Sequence, residues 1–244
     1  MMNRSLFVIP DWSAPEQVHA GSTCRQGGVS LPPYESLNLA QHVGDDPEAV
    51  VQNRTRLELP AEPCWLQQVH GVKVAQLDAP TTDIIEADAA YTRQAGVICA
   101  VLTADCLPVL LCDTSGSEVA AIHAGWRGLC DGVIEATVGH FSASTDKLMA
   151  WLGPAIGPEI YEIGAEVRQA FVDRDPQATR AFVATRPGHW LMDLYALARQ
   201  RLQHLGVGQI SGGQYCTYRD ATRFYSYRRD GITGRMASVI WLGD

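Results

Sequence analysis

Long apolar runs are missing from this chain of 244 residues. No window approaches the ~18 consecutive apolar residues of a membrane span. The apolar patch just before Pro10 is too short for the core of a signal peptide. Paired-cysteine spacings are missing too. The 7 cysteines are scattered without CxxC, so no disulfide framework is indicated, and Cys99 and Cys112 read as small core residues within apolar runs. A reducing, cytoplasmic location is expected. A basic surface is also lacking: the net charge of −8 argues against general nucleic-acid binding. Low-complexity segments, charged linkers and internal repeats are absent, so residues 1–244 are read as a single domain with no internal boundary.

What is present is an ordinary globular composition, 46% hydrophobic and 19% charged, long enough to bury a substantial core. Arginine is locally dense between Arg219 and Arg235, which marks either an anion-holding cluster or a solvated rim. Short apolar segments bounded by Gly, Pro or Asp predict strands at residues 5–9, 72–77, 97–102, 109–112, 119–123, 148–152 and 236–242. A helix is predicted over 47–59, capped by Asp45 or Asp46, with Pro47 in its first turn. Another follows "GWRG", with Leu129, Val133, Ile134, Val138 and Phe141 along one face. A third spans 193–205, and Gly206 stops it. Alternating strands and helices over one core give an α/β class.

The stretch "LTADCLPVLLCDTSGSEVAAIHAGWRG" (residues 102–128) carries the chemistry. Its two apolar runs flank "TSGS", a loop short enough for a β-hairpin. Pairing Cys112 with Glu118 puts Cys106 opposite Ala124 and brings Asp105, Cys106 and His123 to one open end. His123 also ends its strand just before a glycine turn and a helix, where ligands gather in α/β folds. Gly125 and Gly128 permit close backbone approach, and Arg127 can meet an anion. His70, in "WLQQVHGVKV", stands at a strand entrance with no evident packing duty.

Together His70, Cys106 and His123 make a His₂Cys set, the usual way to hold a catalytic zinc with one position open. The same donors suit copper, which binds most N/S sites more tightly and can substitute for zinc. Copper electron-transfer sites, however, cluster Cys, His and Met on one loop, and no such cluster is present. The rival reading makes Cys106 a thiolate nucleophile with His123 or His70 as base and Asp105 orienting. Simple core packing of these residues is a third reading, and spacing alone does not separate the three.

At these residues the sequence resembles the YfiH/LACC1 family, also called the laccase-domain, DUF152, polyphenol-oxidase or peptidoglycan-editing-factor family. The resemblance runs through "SLNLAQHVGDDPEAVVQNR", "WLQQVHG", "EADAAYT", "LTADCLPVLL", "AAIHAGWRG", "GPAIGPEIYEIG" and "RFYSYRRDGITGRMASVIW", in that order and over nearly the whole chain. One departure is Glu159-Ile160, where the family commonly carries a cysteine before the Tyr. The resemblance implies a single-domain α/β/β/α layered sandwich with mixed sheets and a zinc site of His70, Cys106 and His123. It also implies phosphorolysis of adenosine, inosine and 5′-methylthioadenosine, with inorganic phosphate as co-substrate, and deamination of adenosine. Other members are described as copper-dependent polyphenol oxidoreductases, or as editors that remove a misincorporated serine from a peptidoglycan precursor (UDP-MurNAc-Ser).

Deamination needs an acidified water and a carboxylate that moves protons, which Asp105 can supply. Phosphorolysis needs an anion pocket, for which Arg54, Arg127 and the Arg228-Arg229 pair are candidates. Asn38, Gln67 and Gln68 are candidates for hydrogen bonds to ribose or base. Amide hydrolysis of a cell-wall precursor ranks second, because the same metal or the Cys106 thiolate can attack a carbonyl. Polyphenol oxidation ranks third, because one open site offers no electron store. A scaffold with a structural metal ranks last, since such metals take four protein ligands. The expected partner is a small-molecule nucleoside, with neither nucleic acid nor membrane; the oligomeric state stays open.

Overall fold

Residues 2–243 are described by a computed structural model. In chain order the first strands are β1 (Phe7–Val8), β2 (Val18–Thr23), β3 (Leu66–Gln67), β4 (Val74–Gln76), β5 (Ile85–Glu86), β6 (Ala89–Thr92), β7 (Cys99–Thr103), β8 (Leu107–Asp113) and β9 (Val119–Ala124). There follow β10 (Leu148–Leu152), β11 (Glu162–Gly164), β12 (Phe182–Arg186), β13 (His189–Met192), β14 (Gln209–Gly212) and β15 (Met236–Leu242). The helices are α1 (Pro47–Thr55), α2 (Trp126–Asp131), α3 (Val133–Val138), α4 (Ala165–Arg174), α5 (Leu194–His204) and α6 (Tyr227–Asp230).

Two sheets stack face to face. One is antiparallel in the order β1-β2-β15-β7; the other is mixed, β14-β10-β8-β9-β6-β4. Period-2 alternation explains the layering. On β8, Leu107, Val109 and Leu111 pack under the helices, while Leu110 and Cys112 face the other sheet. On β15, Met236, Ile240 and Leu242 fill the space between the sheets, and Ala237, Val239 and Trp241 point to a third core closed by Leu37, Leu39 and Leu57. Leu129, Val133, Ile134, Leu197 and Leu202 seal the outer face of the mixed sheet. The result is the α/β/β/α sandwich, with smaller sheets β11-β13-β12 and β3-β5 at its margins.

All seven expected strands are present: β10 and β15 with the expected bounds, β8 and β9 longer, β1 and β4 shorter and β7 shifted, and residues 5–6 belong to a 3-10 turn rather than to β1. Asp46 caps α1 by accepting from Glu48 N, but α1 ends four residues before the expected Leu59 because the chain turns at Arg56 to bury Leu57. Asp193 caps α5 through Ala196 N. The single helix expected after "GWRG" is two, broken at Gly132, whose φ of 105° is left-handed. Its apolar residues are buried all the same. The hairpin register differs by one residue: Cys112 pairs with Val119 and Leu107 with Ala124, so Cys106 lies beyond the end of the ladder, level with Gly125. The cause is Asp113. Its carboxylate accepts from the N–H groups of Ser115, Ser117 and Glu118, and its own N–H donates to Glu118 O, which draws Glu118 into the turn.

Candidate metal centre

The inter-sheet face of β9 reads Val119, Ala121, His123, and that of β7 reads Cys99, Val101, Thr103. Each is apolar until its last position. The interior of the sandwich therefore turns polar at one end, where a cavity of about 390 Å³ opens. Its walls include His70, Thr103, Asp105, Cys106, His123, Trp126, Tyr161 and three arginines, Arg127, Arg228 and Arg235. This volume is within the range of small-molecule sites.

The ligating atoms of His70, Cys106 and His123 all lie within 4.8 Å of one another, and His70 Nε2 is 4.0 Å from Cys106 Sγ. A tetrahedral zinc with N at about 2.0–2.1 Å and S at about 2.3 Å sets donor–donor distances of about 3.3–3.8 Å. Small side-chain rotations close the difference. A further observation supports the fit. A Cβ on Gly125 would stand 2.8 Å from His70 Cδ2, 3.2 Å from Cys106 Sγ and 3.5 Å from His123 Cε1. Gly125 has an ordinary φ of −61°, so glycine is required here for space rather than for conformation. Gly128 is required likewise, as its Cβ would meet Gly71 O at 2.6 Å.

Asp88, which sequence reasoning did not single out, organises the group. It is wholly buried, and its carboxylate accepts from Val69 N, His70 N and Gly71 N and meets His123 Nδ1 at 2.8 Å. The three amides hold His70 in a left-handed turn, φ 62°, which is strained for a residue with a side chain. The bond to His123 Nδ1 fixes that ring so that its other nitrogen faces Cys106, as metal-binding histidines are usually held. The available signal was one acid inside the buried run "ADAAYT", because a buried carboxylate must be partnered.

Burial disfavours ionisation of the Cys106 thiol, but His123 and then His70 outweigh it and hold the thiol below its ordinary range. Burial likewise opposes a charged His123, yet the Cys106 sulfur and the Asp88 carboxylate raise its proton affinity. Asp88 is held below the usual carboxylate range despite burial, through His123 and the amides of Gly71 and Val69. Cys106, His123 and Asp88 alone would also form a thiol triad. His70 distinguishes the two readings: a triad has no need of a second imidazole set against the sulfur by a strained turn.

Of the remaining candidates, some line the cavity and others are held by contacts elsewhere in the fold. Asn38 is fully buried and bonds Ala40, Asp45 and the N–H of Arg235, so it shapes the wall without reaching the cavity. Gln68 lines the cavity, but its amide accepts from Leu102 N and donates to Leu102 O, clamping the end of β7 like an added strand residue. Arg54 bonds Leu39 O, stacks on Trp65 and faces an adjoining cavity of about 640 Å³, where Gln67 also lies. Arg229 spends its guanidinium on Thr217, Tyr218 and Phe224 carbonyls and on Asp230. Asp105, expected to move protons, accepts from Thr217 Oγ1 at 2.6 Å on one oxygen and from Arg228 N at 2.7 Å on the other. With a left-handed φ of 96°, it is a tie between the β7–β8 turn and the C-terminal loops. Arg127 and Arg228 do line the cavity, stacked on Trp126 and Tyr161. Arg235, the last of the C-terminal arginine cluster, lines it too, as do His42 and Tyr161, which were not singled out from sequence.

Comparison with known proteins agrees with this architecture. Residues 19–243 match the model of a family described as multi-copper polyphenol oxidoreductase laccase. The purine nucleoside phosphorylase YfiH of Shigella flexneri is 54% identical over 242 residues, covering 98% of this chain and 99% of its own. The protein of the same name from Escherichia coli K12 is 53% identical over the same length, with the same coverage. A solved DUF152 structure from Neisseria meningitidis superposes with a TM-score of 0.94 at 46% identity, covering 98% of this chain and 100% of its own. YlmD from Geobacillus stearothermophilus superposes with a TM-score of 0.87 at 31% identity, covering 98% and 99%. Full-length matches at these identities leave one assignment: the chain belongs to the YfiH/DUF152 family, described as multi-copper polyphenol oxidoreductase laccases.

Proposed function

We propose that this protein is a zinc-dependent purine nucleoside phosphorylase acting on adenosine, inosine and 5′-methylthioadenosine, with adenosine deamination as a second activity. The observation that carries the reading is the meeting, in one cavity of about 390 Å³, of the His70–Cys106–His123 group with Arg127, Arg228 and Arg235. Relatives at 52–54% identity are named purine nucleoside phosphorylases. When bound, zinc supplies Lewis-acid chemistry at an oxygen beside the sugar or base.

The protein's own groups do the rest. Asp88 fixes His123 and the His70 turn; Trp126 and Tyr161 offer aromatic faces to the base; the arginines hold phosphate. In phosphorolysis the C1′–N9 bond of the nucleoside breaks and a phosphate oxygen bonds to C1′. The proton of HPO₄²⁻ passes to the departing purine, so charge and atoms balance. Deamination replaces the 6-amino group by oxygen, consuming water and releasing ammonia.

The family description names multicopper oxidation, but among the described residues one group of three donors has metal-ligating geometry. A single such group does not provide the several linked metals of a multicopper centre, so phosphorolysis ranks above oxidation. The adjoining cavity beside Trp65 and Arg54 favours, as a second reading, a larger substrate such as the serine-bearing cell-wall precursor. The test is metal analysis of wild type and Cys106→Ala, with chromatography of products from adenosine with and without phosphate. Adenine and ribose phosphate that require phosphate, lost together with zinc in the variant, are the expected outcome. Turnover that survives metal loss sinks the metal mechanism. Stoichiometric zinc without nucleoside turnover moves the assignment to the cell-wall reading.

A further inference from the structure

We propose that Arg235, with Thr103 beside it, is the specific receptor for the phosphate dianion; this rests on the phosphorolysis reading above. Three arginines face the cavity, and they are not equivalent. Arg127 is exposed on the face of Trp126, and Arg228, exposed over Tyr161, is tethered by a single side-chain bond from Nη1 to Glu162 O at 3.0 Å. Arg235 is half-buried and held at both its backbone and its side chain. Its N–H donates to the buried Asn38 Oδ1 at 3.0 Å, and its Nη1 donates to the carbonyls of Thr233 and Gly234 at 2.8 and 3.0 Å. Among the described residues, its Nε and Nη2 have no hydrogen-bond partner. A guanidinium fixed at one end, with the other edge open, is pre-organised for an oxyanion.

Thr103 supplies an independent observation. The β7–β15 register sets it opposite Met236, so it ends the strand beside the one Arg235 enters. Its side chain lies in the cavity wall, 2% exposed, and its hydroxyl has no partner. A buried hydroxyl left unpaired costs free energy, and rotation about χ1 turns this one onto a ligand held by Arg235. The nearby negative groups do not hydrogen-bond the open edge of Arg235. Asp105 commits both carboxylate oxygens to Thr217 and to Arg228 N, and the Cys106 sulfur faces the histidines. Burial draws the Arg235 guanidinium down from its ordinary proton affinity, while Cys106 and Asp105 act against that. The charge is thus partly desolvated and strong towards an anion.

The experiment measures initial rates against phosphate concentration for wild type, Arg235→Gln, Arg235→Lys and Thr103→Val, all metal-loaded, with inosine saturating. Calorimetric titration of each holoprotein with inorganic phosphate runs alongside. Arg235→Gln raises the phosphate KM about 10- to 100-fold, the scale of one lost charge-assisted bond, with the inosine KM within about twofold and metal content unchanged. Arg235→Lys falls between, and Thr103→Val raises the phosphate KM by about 3- to 10-fold. If Arg235→Gln does not fold, the lysine and valine variants carry the same comparison. An active wild type whose phosphate KM is unmoved in the Arg235 variants overturns the proposal. A wild type without phosphate-dependent turnover removes the phosphorolysis reading, and the titrations then decide. Phosphate binding lost with Arg235 upholds the receptor, and no binding to wild type overturns it.

Discussion

At the scale of single residues, the centre depends on groups that touch no substrate. Asp88 is the clearest case, since it holds three backbone amides and one imidazole at once. Asp88→Asn keeps the size but loses the charge, and metal affinity is expected to fall about 10- to 100-fold, the usual cost of losing such a partner; competition with a chelating dye measures it. Gly125→Ala inserts a methyl 2.8 Å from His70. Metal binding is expected to weaken while circular dichroism stays unchanged, and undiminished metal affinity would show that the three donors are not packed as described. Cys106→Ala removes the soft donor itself and takes metal and turnover together. Asp88 was not recognised from sequence because three of its four partners are backbone amides, which any residue type supplies, and the fourth, His123, lies 35 residues away.

At the scale of elements, the β8–β9 hairpin sets the register on which Cys106 and His123 meet, and two acids hold its far end. Burial raises the carboxyl pKa of Asp113, but the hydroxyl of Ser115 and the amides of Glu118 and Ser117 bring it below its usual value. Burial of Glu118 is likewise outweighed by the amides of Ser142 and Ala143, by Tyr91 and by Arg93. A carboxyl with a depressed folded pKa stabilises above its unfolded value, near about 4, and that contribution is lost as pH falls through the folded value. Tm is therefore expected to drop as pH is lowered from 5 to 3. Glu118→Gln should lie below wild type at neutral pH by about 1–3 kcal/mol and show a shallower acid fall; parallel curves for the two proteins would refute the assignment. Helix breaking follows the same local logic. Gly132, at φ 105°, lets the chain turn between α2 and α3, and Gly132→Ala is expected to cost about 1 kcal/mol or more, a Tm loss of about 2–4 °C in a chain this long.

At the scale of the molecule, the site is where the inter-sheet core ends. The three residues that could hold a metal come from the loop before β4, the β7–β8 turn and the end of β9, so a bound metal would tie three segments at this edge of the mixed sheet. Metal is expected to stabilise the fold by mass action, about 2.7 kcal/mol at a free concentration of 100 Kd. A thermal melt with and without chelator reads this, and Cys106→Ala should melt at the same temperature in both. No helix among the described residues is long and apolar enough to cross a membrane, in keeping with the absence of long apolar runs.

The strands at the centre of the sheets were legible because burial on both faces writes them as continuous apolar runs, such as "PVLLC" and "VAAIH". The cap of α1 was legible because Asp46 acts on an amide two residues away, whereas Asp193 was read as the start of α5 rather than as its cap. Strands such as β12, largely exposed, carry no such pattern, and helix α4 lacked a strong apolar stripe. The hairpin could be foreseen but not its register, which the Asp113 side chain shifts by one residue. Composition and pattern determined the α/β class and the ordered motifs determined the family, whose resemblance implies the three donors; spacing alone left metal, thiol and packing readings open. Only the tertiary structure decided which polar residues face the cavity. It placed Asn38 behind the wall, committed the Gln68, Asp105 and Arg229 side chains to other segments, picked Arg235 out of the C-terminal arginines, put Thr103 in the wall, and set Asp88 beneath His70 and His123. Those roles depend on contacts between segments far apart in the chain, and local sequence does not encode which hydrogen-bond partner a side chain will meet there.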